Sequence, residues 1–164
     1  MSGLYNQLKI PLAIQLAKLS GFSPIIVTAS SRNSSALKAI GATHTLDRSL
    51  SSKAIVPQVK RITEGKNISH VFDAVAIRTT QHLAVDILAP RGKVVLVLPA
   101  VDDLDLKEGR ETIMIQSQPK SPKNIQLVSK LYGEWLGELL DGHLKVRLSF
   151  LCQSFGLERW LMSI

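Results

Sequence analysis

Short apolar runs rich in β-branched residues recur along this chain, and the segments between them repeat their apolar residues at helical spacing. The runs are PIIVTA (24–29), THTL (43–46), SHVFDAV (69–75) and KVVLVLP (93–99). The first has no polar residue before Thr28, so it suits a strand covered on both faces. Residues 12–20 place Leu12, Leu16 and Leu19 on one helical side, with Ala13 and Ala17 beside them. Pro11 suits the first turn of that helix and Gly21 its end. Asn33 can cap SSALKAI, which Gly41 stops. Residues 53–64 set Ile55, Val59 and Ile62 on one face, with Pro57 near the first turn and Gly65 as the stop. Thr79 or Thr80 can cap a helix through Leu88, and Pro90 and Gly92 mark the turn after it. Strands alternating with helices require crossover connections, and crossovers build parallel sheets. The expected fold class is therefore α/β.

The alternation weakens beyond residue 100. Residues 101–110 are acidic and turn-like, RETIMIQ (110–116) suits a strand, and QPKSPK (118–123) breaks structure. Residues 124–141 predict a helix striped by Ile125, Val128, Leu131, Trp135 and Leu139, and KVRLSFL (145–151) suits a strand.

The 164 residues suffice for one domain with a real core and are too few for two full-sized ones. No apolar stretch approaches the roughly 20 residues needed to span a bilayer, and the first residues do not resemble a signal peptide. With one cysteine, Cys152, no internal disulfide can form, so a reducing, cytoplasmic setting is expected. His44, His70, His82 and His143 are scattered without metal-ligand spacing, and no metal is expected. The net charge of +7 is spread along the chain. Its one dense stretch, Lys53 to Lys66, fits the solvated face of a helix, so neither nucleic acid nor membrane is an expected partner.

Parallel α/β folds that bind dinucleotides select the ribose at the end of their second strand, where an NAD enzyme usually carries Asp or Glu. Here PIIVTA ends in Ser30, Ser31, Arg32 and Asn33, and no carboxylate follows until Asp47. Hydroxyls beside a guanidinium suit a 2′-phosphate, because Arg forms a charge-assisted fork with phosphate oxygens. The same residues also make an ordinary polar loop with a capping Asn. Tyr5 and Lys9 show the Tyr-x-x-x-Lys spacing of short-chain reductases, but they stand at the start of the chain, where that pair has no such role.

AIQLAKLSGF followed by IIVTASSRNSSALKAIGATHTLD resembles the cofactor domain of zinc-free medium-chain dehydrogenases/reductases, in particular the branch of fungal enoyl reductases acting in trans on polyketide synthases and related toxin-cluster dehydrogenases. Val71-Phe72-Asp73, Leu96-Val97-Leu98-Pro99 and the ELLDGHLK segment extend the similarity over residues 13–146. The resemblance implies a Rossmann-like domain that binds NADP(H) and serves hydride transfer to an enoyl or related conjugated carbonyl. It implies that Ser30 and Arg32, with Ser31 between them, hold the adenosine 2′-phosphate. It further implies that Asp73, Ala74 and Val75 and then Leu98 and Pro99 face the nicotinamide side. Arg48 stands where that family often has a Tyr beside the ribose, and an Arg there can still reach the phosphate. A polyketide synthase or a second copy of the chain is the partner the resemblance suggests.

Two departures limit the chain. The family's substrate domain, first strand and glycine-rich turn have no counterpart, although Ser2-Gly3-Leu4-Tyr5 resembles the end of that turn. Beyond residue 146 the sequence no longer aligns. The expected organisation is an irregular segment (1–12), the cofactor domain (13–146) and a divergent tail (147–164). A fragment of this kind is expected to be inactive alone; the alternative is a non-catalytic domain serving protein association. In the usual strand order 3-2-1-4-5-6 the missing strand is central, which leaves three outcomes: strands 24–29 and 69–75 close up and pair directly, another segment fills the slot, or the chain is unstable; direct closure is the favoured expectation.

Overall fold

The structure is a computed structural model that describes residues 2–115, 122–130, 133–134, 137 and 160–163. Its elements run α1 (Ser2–Leu19), β1 (Ile25–Ala29), a 3-10 turn (Ser31–Asn33), α2 (Ser34–Ala39), β2 (His44–Asp47), α3 (Ser52–Ile62), β3 (Ile68–Asp73), α4 (Arg78–Ile87), β4 (Leu88–Leu96), β5 (Glu111–Met114), α5 (Pro122–Lys130) and β6 (Trp160–Ser163). The strands form one parallel sheet in the order β2-β1-β6-β3-β4-β5. All four strong runs in the sequence are strands, and the α/β expectation holds.

Alternation along each strand divides the core in two. Ile26, Leu46, Val71, Val94 and Leu96 pack with Ile55 and Val59 of α3 and with Leu83, Ala84 and Ile87 of α4. Ile25, Val27, Ala29, Phe72 and Ala74 pack on the opposite face with Ile10, Ile14 and Ala17 of α1 and Leu37 of α2. Every residue of β1 is buried, as a strand between two helical layers requires.

The centre of the sheet departs from expectation. β1 and β3 do not pair with each other. Residues 160–163 lie between them, with Ile26 and Val71 both opposite Leu161, and Thr28 and Asp73 both opposite Ser163. Removing one strand leaves a gap of about 9–10 Å, two strand spacings, which is room for one extended segment. Closure of that gap would drag each helical layer off its partner. Insertion instead satisfies the backbone groups of both edges at once. The expected tail thus supplies a strand; residues 145–151 lie outside the described residues.

The amino-terminal region is also more regular than expected. α1 begins at Ser2, so Pro11 sits inside the helix and not in its first turn. The buried stripe is Ile10, Ile14 and Ala17, while Leu12 is 55 % exposed and Leu16 and Leu19 are half-buried. Ile10 brings a residue into phase one turn before the expected start, and small Ala17 allows close approach to the sheet. In α3, Pro57 likewise falls in the second turn. Of the helix expected over 124–141, α5 covers Pro122–Lys130 and residues 133–134 and 137 are helical too, with Ile125 half-exposed; Leu131, Trp135 and Leu139 lie outside the described residues.

Candidate functional site

In parallel α/β sheets ligands bind beyond the carboxyl ends of the strands. Every site residue expected from the sequence lies at that edge. Ala29 of β1 pairs with Asp47 of β2, so Ser30 and Arg48 each follow a paired residue on adjacent strands. The Arg48 N–H donates to Ala29 O at 3.0 Å, which fixes the two strand ends together. Ser31 and Arg32 form the exposed 3-10 turn between β1 and α2. Asp73 of β3 pairs with Leu96 of β4, and Ala74–Val75 and Leu98–Pro99 continue from them. Two groups result, one on β1 and β2 and the other on β3 and β4.

Asp47, the carboxylate nearest the first group, is turned into its own loop. It accepts from the Ser49 N–H at 2.8 Å and the Ser49 hydroxyl at 2.7 Å, and these bonds hold its carboxyl below the ordinary 3.8. The cations at this edge, Arg32 and Arg48, are both exposed.

Asp73 stands at the end of β3, with its side chain turned inward. Its side chain is fully buried, and its oxygens accept from Val75 N–H at 3.0 Å, Ala76 N–H at 2.8 Å and the Thr80 hydroxyl at 2.6 Å. Burial pushes its carboxyl above the ordinary 3.8, and the three donors offset part of that rise. The carboxylate shapes the β3–α4 loop, where Ala76 holds a φ of 53°. Ala74 is buried against the α1 side of the sheet. Val75, Leu98 and Pro99 retain exposed surface.

A cavity of about 280 Å³ opens on the α3–α4 face of this edge. Arg48, Leu50 and Ser52 line one wall, Val75, Ile77 and Thr80 the other, with Thr28 among the lining residues. Of the nine expected site residues only Arg48 and Val75 line it. The sequence reading missed Thr28, Leu50, Ser52 and Ile77 because each belongs locally to a strand, a turn or a cap. Thr80 was expected as a cap, and the structure alters its position. The N-cap is Ile77, and Thr80 reaches back from the third helical residue to accept the Ile77 N–H at 3.1 Å.

A family model described as zinc-binding dehydrogenase matches residues 11–110. The chain belongs to that family. This dehydrogenase domain is similar to a quinone oxidoreductase from Pseudomonas syringae pv. tomato DC3000, at 28 % identity and a TM-score of 0.66, over 83 % of the chain and 43 % of the other protein. It shares its fold with a putative enoyl reductase domain of a polyketide synthase, at 21 % identity and a TM-score of 0.61, over 82 % of the chain and 75 % of that domain. It also shares its fold with a crotonyl-CoA carboxylase/reductase in complex with NADP, at 15 % identity and a TM-score of 0.60, over 76 % of the chain and 37 % of that protein. The chain thus spans about two fifths of the quinone oxidoreductase and of the carboxylase/reductase. No curated protein matches the sequence. The domain is a Rossmann-like NAD(P)-binding domain of oxidoreductase type. Among the described residues no three His, Cys, Asp or Glu side chains converge to hold a metal ion. Nor is any described helix long and apolar enough to cross a membrane.

Proposed function

We propose that this chain is the NADP(H)-binding domain of a zinc-independent reductase, from the branch of fungal trans-acting enoyl reductases and toxin-cluster dehydrogenases. The reaction served is hydride transfer from NADPH to an enoyl or related conjugated carbonyl, and a polyketide synthase is the partner that the branch suggests. One observation carries the cofactor choice. The β1–β2 edge presents Ser30, Ser31, Arg32 and Arg48, while the nearest carboxylate, Asp47, is engaged by Ser49. A dianionic 2′-phosphate gains charge-assisted bonds there, whereas a 2′-hydroxyl lacks the carboxylate it needs as acceptor. The cavity beside Arg48 has room for a nucleobase-sized group, with Val75 and Ile77 as apolar walls.

The nicotinamide cofactor supplies the hydride when bound. The protein's part at this edge is to select the phosphate, seat the adenosine and hold the β3 and β4 ends in place. Titration of the purified chain with NADPH and NADH tests this reading. NADPH is expected to bind more tightly, and Arg32→Ala to weaken it about tenfold, as loss of a charged hydrogen bond does, with little change for NADH. Equal losses for the two cofactors would remove Arg32 from the phosphate site.

A further inference from the structure

Gln81 is a polar residue only 1 % exposed, on the second turn of α4. Its Nε2 donates to Ala76 O at 2.9 Å and to Pro99 O at 3.1 Å, and its Oε1 accepts from Val101 N–H at 2.9 Å. Both amide hydrogens are used, and all three partners are backbone groups. Those partners belong to two loops, the one after β3 and the one after β4. A buried amide is retained only where its bonds are satisfied, and a leucine would fill this position without them. The packing therefore does not explain the glutamine; the two loops do.

The neighbouring contacts extend the same connection. Thr80 donates to Asp73, and Asp73 accepts from Val75 and Ala76, the residue whose carbonyl Gln81 takes. Farther out, Asp103 accepts from Arg78 and lies 3.1 Å from His82 Nε2, so α4 also holds the outer part of the loop after β4. Three positions at helical spacing on α4, 78, 81 and 82, grip this loop. Leu98 stays half-exposed at its start.

We infer that Gln81 is a positioning residue for the nicotinamide half of the cofactor: by holding Pro99 and Val101 against the β3–α4 loop, it sets where Leu98 and Pro99 stand. This rests on the NADP(H) reading given above. On that reading the adenosine half is served by Ser30, Arg32 and Arg48, just past the ends of β1 and β2, to which Gln81 makes no hydrogen bond.

The two halves can be separated with two ligands. Adenosine 2′,5′-bisphosphate carries the phosphate and adenine but no nicotinamide, while NADPH carries all of them. Dissociation constants are measured for both on the wild-type chain, on Gln81→Leu, and on Val101→Pro, which removes one partner N–H from a half-buried loop residue and leaves the Gln81 side chain in place. Both variants are expected to weaken NADPH about tenfold and to leave the bisphosphate within about twofold. Hydrogen exchange at the Val101 amide is expected to be slow in the wild type and fast in Gln81→Leu. If both ligands weaken alike, the role is one of general stability and the inference falls. Unchanged NADPH affinity in Val101→Pro, or fast Val101 exchange in the wild type, also overturns it. A wild type that binds the bisphosphate as tightly as NADPH overturns the inference alone. A wild type that binds neither overturns the cofactor reading and the inference with it.

Discussion

At the scale of single residues, the buried carboxylate of Asp73 carries a testable pH dependence. Its raised pKa means that the folded state holds a proton more readily than the unfolded chain does. Stability therefore falls as pH rises from 3.8 through the raised value, and is level above it. Asp73→Asn abolishes that slope. The Asn oxygen can still accept from Val75 and Ala76, and its amide can donate to Thr80, whose hydrogen then turns to Ile77 O, 3.0 Å away. Urea unfolding across the acid range should show the wild type losing ground to Asp73→Asn as pH climbs; a pH-independent difference would refute the account. Asp73→Leu should be worse at any pH, since two buried N–H groups lose their acceptor at about 1–3 kcal/mol each. The residue scale was partly legible: the polar, carboxylate-free end of β1 at Ser30–Arg32 reads directly off the sequence, because its chemistry is local, whereas Arg48 came only through the family resemblance. Gln81 and Thr28 were not legible: Gln81 joins Ala76 to Pro99 and Val101, 18 and 20 positions away, and Thr28 lines a cavity built from several elements, and no spacing rule reaches that far.

At the scale of elements, short buried runs such as IIVTA identify themselves, because a strand covered on both faces has no polar alternation to blur. α1 was legible in kind but not in phase. Leucines at 12, 16 and 19 gave an apolar side, but sheet contact selected Ile10, Ile14 and Ala17. β6 was not legible at all, since a four-residue stretch acquires strand character only from the two open edges that receive it. That dependence is testable. Deletion of residues 160–164 should expose the facing edges of β1 and β3, lower the unfolding temperature and promote association. Light scattering and thermal melts of the deleted chain should show both effects. A melt matching the full chain would mean that β6 contributes nothing. By contrast, Leu12→Ala should change stability by less than about 0.5 kcal/mol, while Ile14→Ala should cost about 2–5 kcal/mol for a buried isoleucine.

At the scale of the whole molecule, the chain corresponds to about two fifths of its quinone oxidoreductase relative, and the matched part is the cofactor side of that architecture. We expect these 164 residues to show no enone- or quinone-dependent oxidation of NADPH above background, followed at 340 nm. Turnover that persists through rigorous purification would show that the edge described here also builds a substrate pocket. The strand order carries a further consequence for how such a chain comes into being. Among the described strands, the one in the middle of the sheet is synthesised after all the others. When Met114 has left the ribosome, the strand that joins β1 and β2 to β3, β4 and β5 has not yet been made, so any half-sheets formed by then have an open inner margin. At about 5–20 residues per second, several seconds pass before residue 160 follows. For that interval the nascent polypeptide carries two adhesive margins and nothing to join them, so its dependence on chaperones should be set by translation speed across residues 115–160.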